Sequence, residues 1–160
     1  MTEALKTTLE TFKDALSQRA AISSWATAAY GHGHKVFVNI DIRNPPGAAD
    51  CPYIMLRPVV ARYGRGVTEK RMEFEMLCCL YDEAAQTNAE TNVVEYAGVQ
   101  KTLDFLDLAV AAIGAVSTGN ALLQDVTADF ETIEFFPFFM AGCPLVLVEP
   151  LTLGADRLTL

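Results

Sequence analysis

Asp129–Leu151 reads DFETIEFFPFFMAGCPLVLVEPL. Two runs of strand-forming residues flank Ala141-Gly142, and each run carries a proline, Pro137 and Pro144. This pattern predicts a β-hairpin turning at Ala-Gly, with a first arm that is apolar on both faces. A strand apolar on both faces needs cover on both. Helices of the same chain supply one cover, and a partner subunit supplies the other. The two prolines meanwhile oppose endless edge-to-edge strand pairing. The stretch therefore predicts a closed oligomer rather than a monomer.

Working outward, Leu5, Leu9, Phe12 and Leu16 recur at helical spacing with Lys6, Glu10, Lys13 and Asp14 between them. They predict an amphipathic helix over Thr2–Ser17, with Glu3 near its positive end. Ile22–Ala29 is ambiguous, since Trp25 fits either a cap on this helix or the start of a connector. Lys35–Ile42 alternates, with Val36, Val38, Ile40 and Ile42 on one side, and predicts a half-buried strand ended by Asn44-Pro45-Pro46-Gly47. Cys51–Val60 predicts a second strand, with Pro58 on a sheet edge. Met72–Tyr81 predicts a third, whose Met72, Phe74, Met76, Cys78 and Leu80 share a face. Asn92-Val93-Val94-Glu95 has the form of a capping box. The helix it opens carries Val99, Leu103, Leu106, Val110 and Ile113 on one stripe and ends near Gly114. Short turns between strands imply antiparallel pairing, so the fold expected is α+β: a single domain over 1–160, a mainly antiparallel sheet with two main helices packed on one face.

Composition narrows function by exclusion. Twelve basic against twenty acidic residues leave a formal charge of −8, which opposes a broad phosphate-neutralising surface. The N-terminus is amphipathic and acidic rather than a signal peptide. The longest greasy window, Phe135–Val148, is broken by Pro137, Gly142 and Pro144 and is too short to span a bilayer. A soluble, cytoplasmic chain is expected, with no membrane partner. Cys51, Cys78, Cys79 and Cys143 form no CxxC pair and are expected to be buried, reduced thiols.

No chemical constellation emerges. Gly31-His32-Gly33-His34-Lys35 lacks the spacing and the following helix of a phosphate loop. As a metal site it offers two histidines where three or four ligands are usual. No GxSxG-type signature accompanies the cysteines and histidines. Asp104 and Asp107 read as a solvated helix face, and Glu73 and Glu75 as a polar sheet surface or subunit contact. No catalytic residue, cofactor or metal is expected, and the chain reads as a non-enzyme. The segment Ala61–Lys70, with Arg71 just beyond, differs in kind: it is glycine-containing and basic within an acidic chain. It reads either as a mobile, solvent-exposed hairpin connection or as a docking arm that orders on an acidic neighbour, which can be another copy. The interface residues expected are Arg62, Tyr63, Arg65, Lys70 and Arg71 with Phe136 and Phe138 of the closing hairpin. A second reading, from a different class, is a small enzyme or ligand-binding domain with a pocket near Tyr30–His34.

The order of elements carries a resemblance. An amphipathic helix precedes Ala49-Asp50-Cys51-Pro52-Tyr53-Ile54-Met55-Leu56. A glycine-containing loop and the strand Arg71-Met72-Glu73-Phe74-Glu75-Met76-Leu77 follow, then the helix Asn92–Ile113 and a closing hairpin through Asp129-Phe130-Glu131. This resembles the tail terminator, or minor tail (tail completion), proteins of long-tailed bacteriophages and prophages. The resemblance implies a structural protein of the virion tail, assembled in the bacterial host cytoplasm. It implies a homo-oligomeric ring, commonly a hexamer, that caps the tail tube and stops its polymerisation. The partners implied are the tube protein, a head-completion or neck protein, and DNA that passes through without specific binding. Another neck or tail-tube component is the remaining alternative.

Overall fold

Alternation along Met72–Leu80 places five apolar side chains on one face of a long strand, and that strand organises everything else. In the computed structural model, which describes residues 2–41, 43–62, 69–117, 122–124, 129–131 and 136–150, the helices are α1 (Thr2–Gln18), α2 (Ala20–Tyr30) and α3 (Ala97–Gly114). The strands are β1 (Lys35–Val38), β2 (Tyr53–Arg62), β3 (Glu69–Tyr81), β4 (Ala85–Asn88), β5 (Val93–Tyr96), β6 (Leu122–Leu123), β7 (Asp129–Glu131) and β8 (Phe138–Pro150). The main sheet runs β1-β2-β3-β8-β6, with β7 also on β8, while β4 and β5 form a separate two-stranded ribbon. β1 is parallel to β2 and the other pairings are antiparallel. The fold is α+β.

One face of the sheet makes the core. Ile54 and Leu56 of β2, Phe74 and Met76 of β3, and Leu145 and Leu147 of β8 are buried there. Phe12 and Leu16 of α1, Ile22 of α2, and Phe105 and Ile113 of α3 close over them. Each such side chain contributes about 1.5–3 kcal/mol by leaving water. Phe12 meets Phe74 edge-on at 5.4 Å, and Trp25 stacks on Phe105 at 5.0 Å. Residues 20–30, ambiguous in sequence, are thus a second helix. Gly31 ends it at φ 77 and gives its N–H to Thr27 O, the left-handed cap that glycine takes without strain.

Three elements depart from the pattern read in the sequence. First, the Ala141-Gly142 pair is not a turn: β8 runs straight through it, in register with Cys78 and Leu77 of β3. The hairpin exists, but its return strand is β7, paired to residues 140–142; residues 132–135 and 151 lie outside the described set. Gly142 is needed for close approach. A Cβ there would stand 2.9 Å from Met76 O and 3.2 Å from Leu77 Cδ1. Pro144 shares parity with Val146, whose carbonyl accepts from Gln124 N–H on the β6–β7 side. Its missing N–H therefore points to the β6–β7 side and costs β8 no bond to β3.

Second, β1 stops at Val38, because Asn39 takes φ 64. That single left-handed residue breaks the alternation, so Val36 packs in the helix-covered core while Ile40 packs on the opposite face. Third, Asn92 does not cap a helix. It sits at φ 54 in the turn of the β4–β5 ribbon, and the β-branched pair Val93-Val94 continues as strand opposite Asn88 and Thr87. α3 starts at Ala97; its buried face keeps Leu106 and Ile113 of the expected stripe and turns otherwise to Gly98, Thr102, Phe105, Ala109 and Ala112. Small residues let this face approach the sheet, so Leu103 is left exposed.

Beyond Leu56, β2 has no described partner on its outer side. Pro52 and Leu56 direct their carbonyls to β1, accepting from Lys35 and Asn39. Pro58 shares their parity, so its missing N–H lies on the open edge, and the pairing with β3 shifts between Pro58 and Val60. A proline and a bulge blunt that edge against further strands.

Candidate assembly interfaces

All three helices sit on one side of the main sheet. The other side has a buried patch of Cys51, Tyr53 and Cys79, packed by Phe37, Ile40, Tyr81, Phe138 and Met140. Past that patch no helix of the described residues covers the sheet, and a trough of about 460 Å³ opens over Arg57, Glu75, Leu77, Met140, Gly142 and Pro144. Apolar floor and charged rim alternate because β3 places Glu73 and Glu75 on this face before it turns apolar at Leu77.

The carboxylates here each have a cationic partner. Arg57 lies directly opposite Glu75 and is ion-paired with it. Arg71 Nε donates to Glu73 Oε1 at 2.6 Å. On the helix-covered side of the sheet, by contrast, Lys70 Nζ reaches Glu149 across the β3–β8 pairing at 3.1 Å. Half-exposed pairs of this kind contribute about 0–1 kcal/mol each; the effect of the Arg57 and Arg71 pairs is to neutralise the open face.

The expected interface residues therefore divide. Lys70 and Arg71 belong to β3 rather than to a loop, and each has an acidic partner. Arg62 ends β2 exposed, directly across from Arg71. Tyr63 and Arg65 lie outside the described residues. Phe138 is half-buried against Tyr81, with ring centroids 5.2 Å apart. Phe136 is 52% exposed and meets Tyr96 edge-on at 5.2 Å and Phe139 at 6.1 Å. Those aromatics gather where the β4–β5 ribbon joins α3, over Gly98.

That ribbon was not legible as such in the sequence. Every residue from 83 to 96 is exposed, including Val93, Val94 and Tyr96. Asn88 Oδ1 accepts from the N–H groups of Glu90 and Thr91, closing the turn. At its foot, Asp82 is buried, accepts from Ala84 N–H and pairs with Lys101 at 2.6 Å. An exposed two-stranded ribbon is marginal by itself in water. The signal for it was the run Tyr81–Gln100, which holds four acids and no base.

The histidine segment occupies the helix-covered side. His34 Nε2 donates to Leu16 O at 2.9 Å, and its ring stands edge-on to Phe105. Its buried Nδ1 has no hydrogen-bond partner, nor does the Tyr30 hydroxyl. Burial holds the His34 pKa below its ordinary value despite the Leu16 bond. Burial, followed by the charge of Asp82, pushes the Tyr30 phenol well up. His32 is exposed and bonds only its neighbour Gly33 O. Among the described residues no hydrogen bond joins either histidine to an acid or a nucleophile, and no group of three or more His, Cys, Asp or Glu could hold a metal.

A pH dependence follows. Because the folded-state His34 pKa is depressed, the unfolded chain binds the extra proton first. Stability is fully present above the ordinary histidine value and falls as pH drops through it toward the folded pKa. Thermal unfolding should show Tm declining from pH 7 to pH 5, and His34→Gln should flatten that decline. An equal decline in the variant would assign the effect to carboxylates instead.

The four cysteines are free and buried. Cys51 is pushed up by its hydrogen bond with Cys79 and by burial; burial, then the neighbouring Cys143 and Cys79, raise Cys78, and burial raises Cys143 to about 11. All three are poor nucleophiles in that state. No helix is long and apolar enough to cross a membrane, among the described residues. No model of a known protein family matches the chain, and no curated protein matches it.

Proposed function

We propose that this chain is a structural subunit of the tail-terminator type: it forms a ring that caps the tail tube of a long-tailed phage or prophage, stops tube polymerisation and presents the surface for head joining. One observation carries the reading. The helices cover a single face of the sheet, while the other face is half apolar, charge-neutralised and open. Such a face is suited to cover by neighbours. A head-to-tail contact that closes by rotation makes a ring. One ring face would complement the last tube ring, and the other would refuse a further tube subunit. The partners are then its own copies, in a hexamer by resemblance, the tube protein, and a head-completion or neck protein. A formal charge of −8 suits a channel that DNA crosses without sticking. Assembly would take place in the bacterial host cytoplasm and the product would reside in the virion tail.

The test is electron microscopy of the purified chain, alone and with polymerising tube protein. The expected result is rings, seated at tube ends, with tube growth arrested. Continuous tubes made of this chain alone would point to a tube subunit instead. A chain that binds no tube end would sink the reading.

The unpartnered Tyr30 hydroxyl and His34 Nδ1 favour a second reading, a site for a small polar ligand between α1, α2 and α3. His34 ring resonances that stay fixed across a panel of small polar ligands would count against it.

A further inference from the structure

We infer that the β4–β5 ribbon of one copy docks on the open end of β2 in the next copy. The inference rests on the ring reading and names its subunit contact. The described exposed large hydrophobics fall into two groups, apart from Leu103 on α3. Val93, Val94, Tyr96 and Phe136 belong to the ribbon and its root. Val38 and Val59, the latter 52% exposed, flank the unpaired edge of β2.

Charge distinguishes the two groups. The ribbon end, Tyr81–Gln100, contains Asp82, Glu83, Glu90 and Glu95 and no Lys or Arg. Of these, Asp82 is spent on Lys101, while Glu90 and Glu95 are exposed with no cationic partner among the described residues. At the other end Arg57, Lys70 and Arg71 have acidic partners. Arg62 has none described and is set beside Arg71 by the register, a like-charge neighbour that raises the gain from meeting an acid. One end is thus apolar and acidic, and the other is apolar with one cation, Arg62, that has no described acidic partner.

The two ends cannot meet within one copy. The ribbon leaves from Tyr81 and Arg62 pairs with Arg71, so the ends are separated by roughly 30 Å of strand. The ribbon's four residue pairs reach only about 14 Å. Complementary patches at opposite ends of a subunit give a heterologous, head-to-tail contact. Pro58 and the adjacent bulge deny the ribbon a continuous ladder at this edge, so side chains carry the contact: Val93 and Val94 toward Val59 and Val38, Glu90 and Glu95 toward Arg62.

Charge reversal tests this. Glu90→Lys with Glu95→Lys makes a ribbon variant, and Arg62→Glu makes an edge variant. All three side chains are exposed, so both variants should fold, which circular dichroism checks. Sedimentation velocity on the full chain should show wild-type self-association that weakens on adding salt, and at least about tenfold weaker association in each variant alone. An equimolar mixture of the variants should assemble again, since every ribbon then finds an edge of opposite charge. Association of Arg62→Glu alone at wild-type strength overturns the contact, as would occur if ribbons paired with ribbons. A mixture that stays apart also overturns it, as does a wild-type chain monomeric at ~1 mM. In each of those cases rings seated on tube ends would leave the ring reading standing and move the contact elsewhere.

Discussion

Gly98→Val is expected to destabilise the chain by about 3 kcal/mol or more, at the upper end of overpacking costs. A Cβ at position 98 would stand 2.2 Å from Phe139 Cδ2 and 2.3 Å from Cε2. Carbon atoms in ordinary contact keep about 3.5–4.0 Å. The Phe139 ring has nowhere to retreat: it is 2% exposed and has Phe136 and Tyr96 beside it. Urea unfolding should show the midpoint falling with an unchanged slope. Gly98→Ala should follow in the same direction, with up to about 1 kcal/mol returned by helix propensity. A midpoint within error of wild type would mean that Phe139 has a second berth. Because Gly98 lies in the first turn of the helix that follows the ribbon, the weaker variant should also loosen the ribbon's root, and self-association should drop with stability.

Phe105→Ala is expected to cost about 3–5 kcal/mol, a large share of the roughly 5–15 kcal/mol that holds a domain folded. Phe105 is fully buried. It stacks on Trp25 at 5.0 Å and meets the His34 ring at 6.3 Å, so its removal opens a cavity where all three helices converge. Trp25 is the sole tryptophan, and its fluorescence reports the change directly. Calorimetry should show a reduced Tm, and the Trp25 emission should shift red as water enters. A loss under about 1 kcal/mol would require the helices to collapse onto the gap, which the packed β3 and β8 beneath oppose.

The parts of the fold that were legible in sequence are those where periodicity and burial agree. Met72–Leu80 alternates because one face is core, and the same five residues line that core in the structure. α1 was readable for the same reason, through Leu5, Leu9, Phe12 and Leu16. Pro58 was rightly placed at an edge. What failed were signals with two physical meanings. Ala141-Gly142 looked like a turn because glycine favours turns, yet Gly142 is there to let β3 come close. Asn92 looked like a helix cap because asparagine accepts from free N–H groups, yet it serves a tight turn through its tolerance of positive φ. Of the stripe drawn on α3, Leu106 and Ile113 are buried as expected, whereas Leu103 is exposed and Val99 and Val110 are only partly buried; the buried face turns instead through Gly98, Thr102, Phe105, Ala109 and Ala112.

The interface was legible only in part, for a related reason. A basic run is visible in sequence, but whether each cation is free depends on which strand lies opposite. Register supplies Glu75 to Arg57 and Glu149 to Lys70, and no local pattern announces that; Glu73, two residues from Arg71 on the same strand, was the one partner within local reach. The ribbon was hidden because its residues read equally well as the first turns of a helix.

Pro58 has a bearing on how many copies a closed assembly would hold. Subunits joined by an unbroken ladder inherit the twist of a sheet, about −20 to −25° at every strand, and that rotation dictates the joint. A joint made at the β2 edge of this chain escapes the dictate, because the ladder is interrupted there. The angle between neighbours is then set by a few exposed side chains around Val59 and Arg62. Symmetry becomes a property of the surface, open to change by substitutions that leave the fold intact.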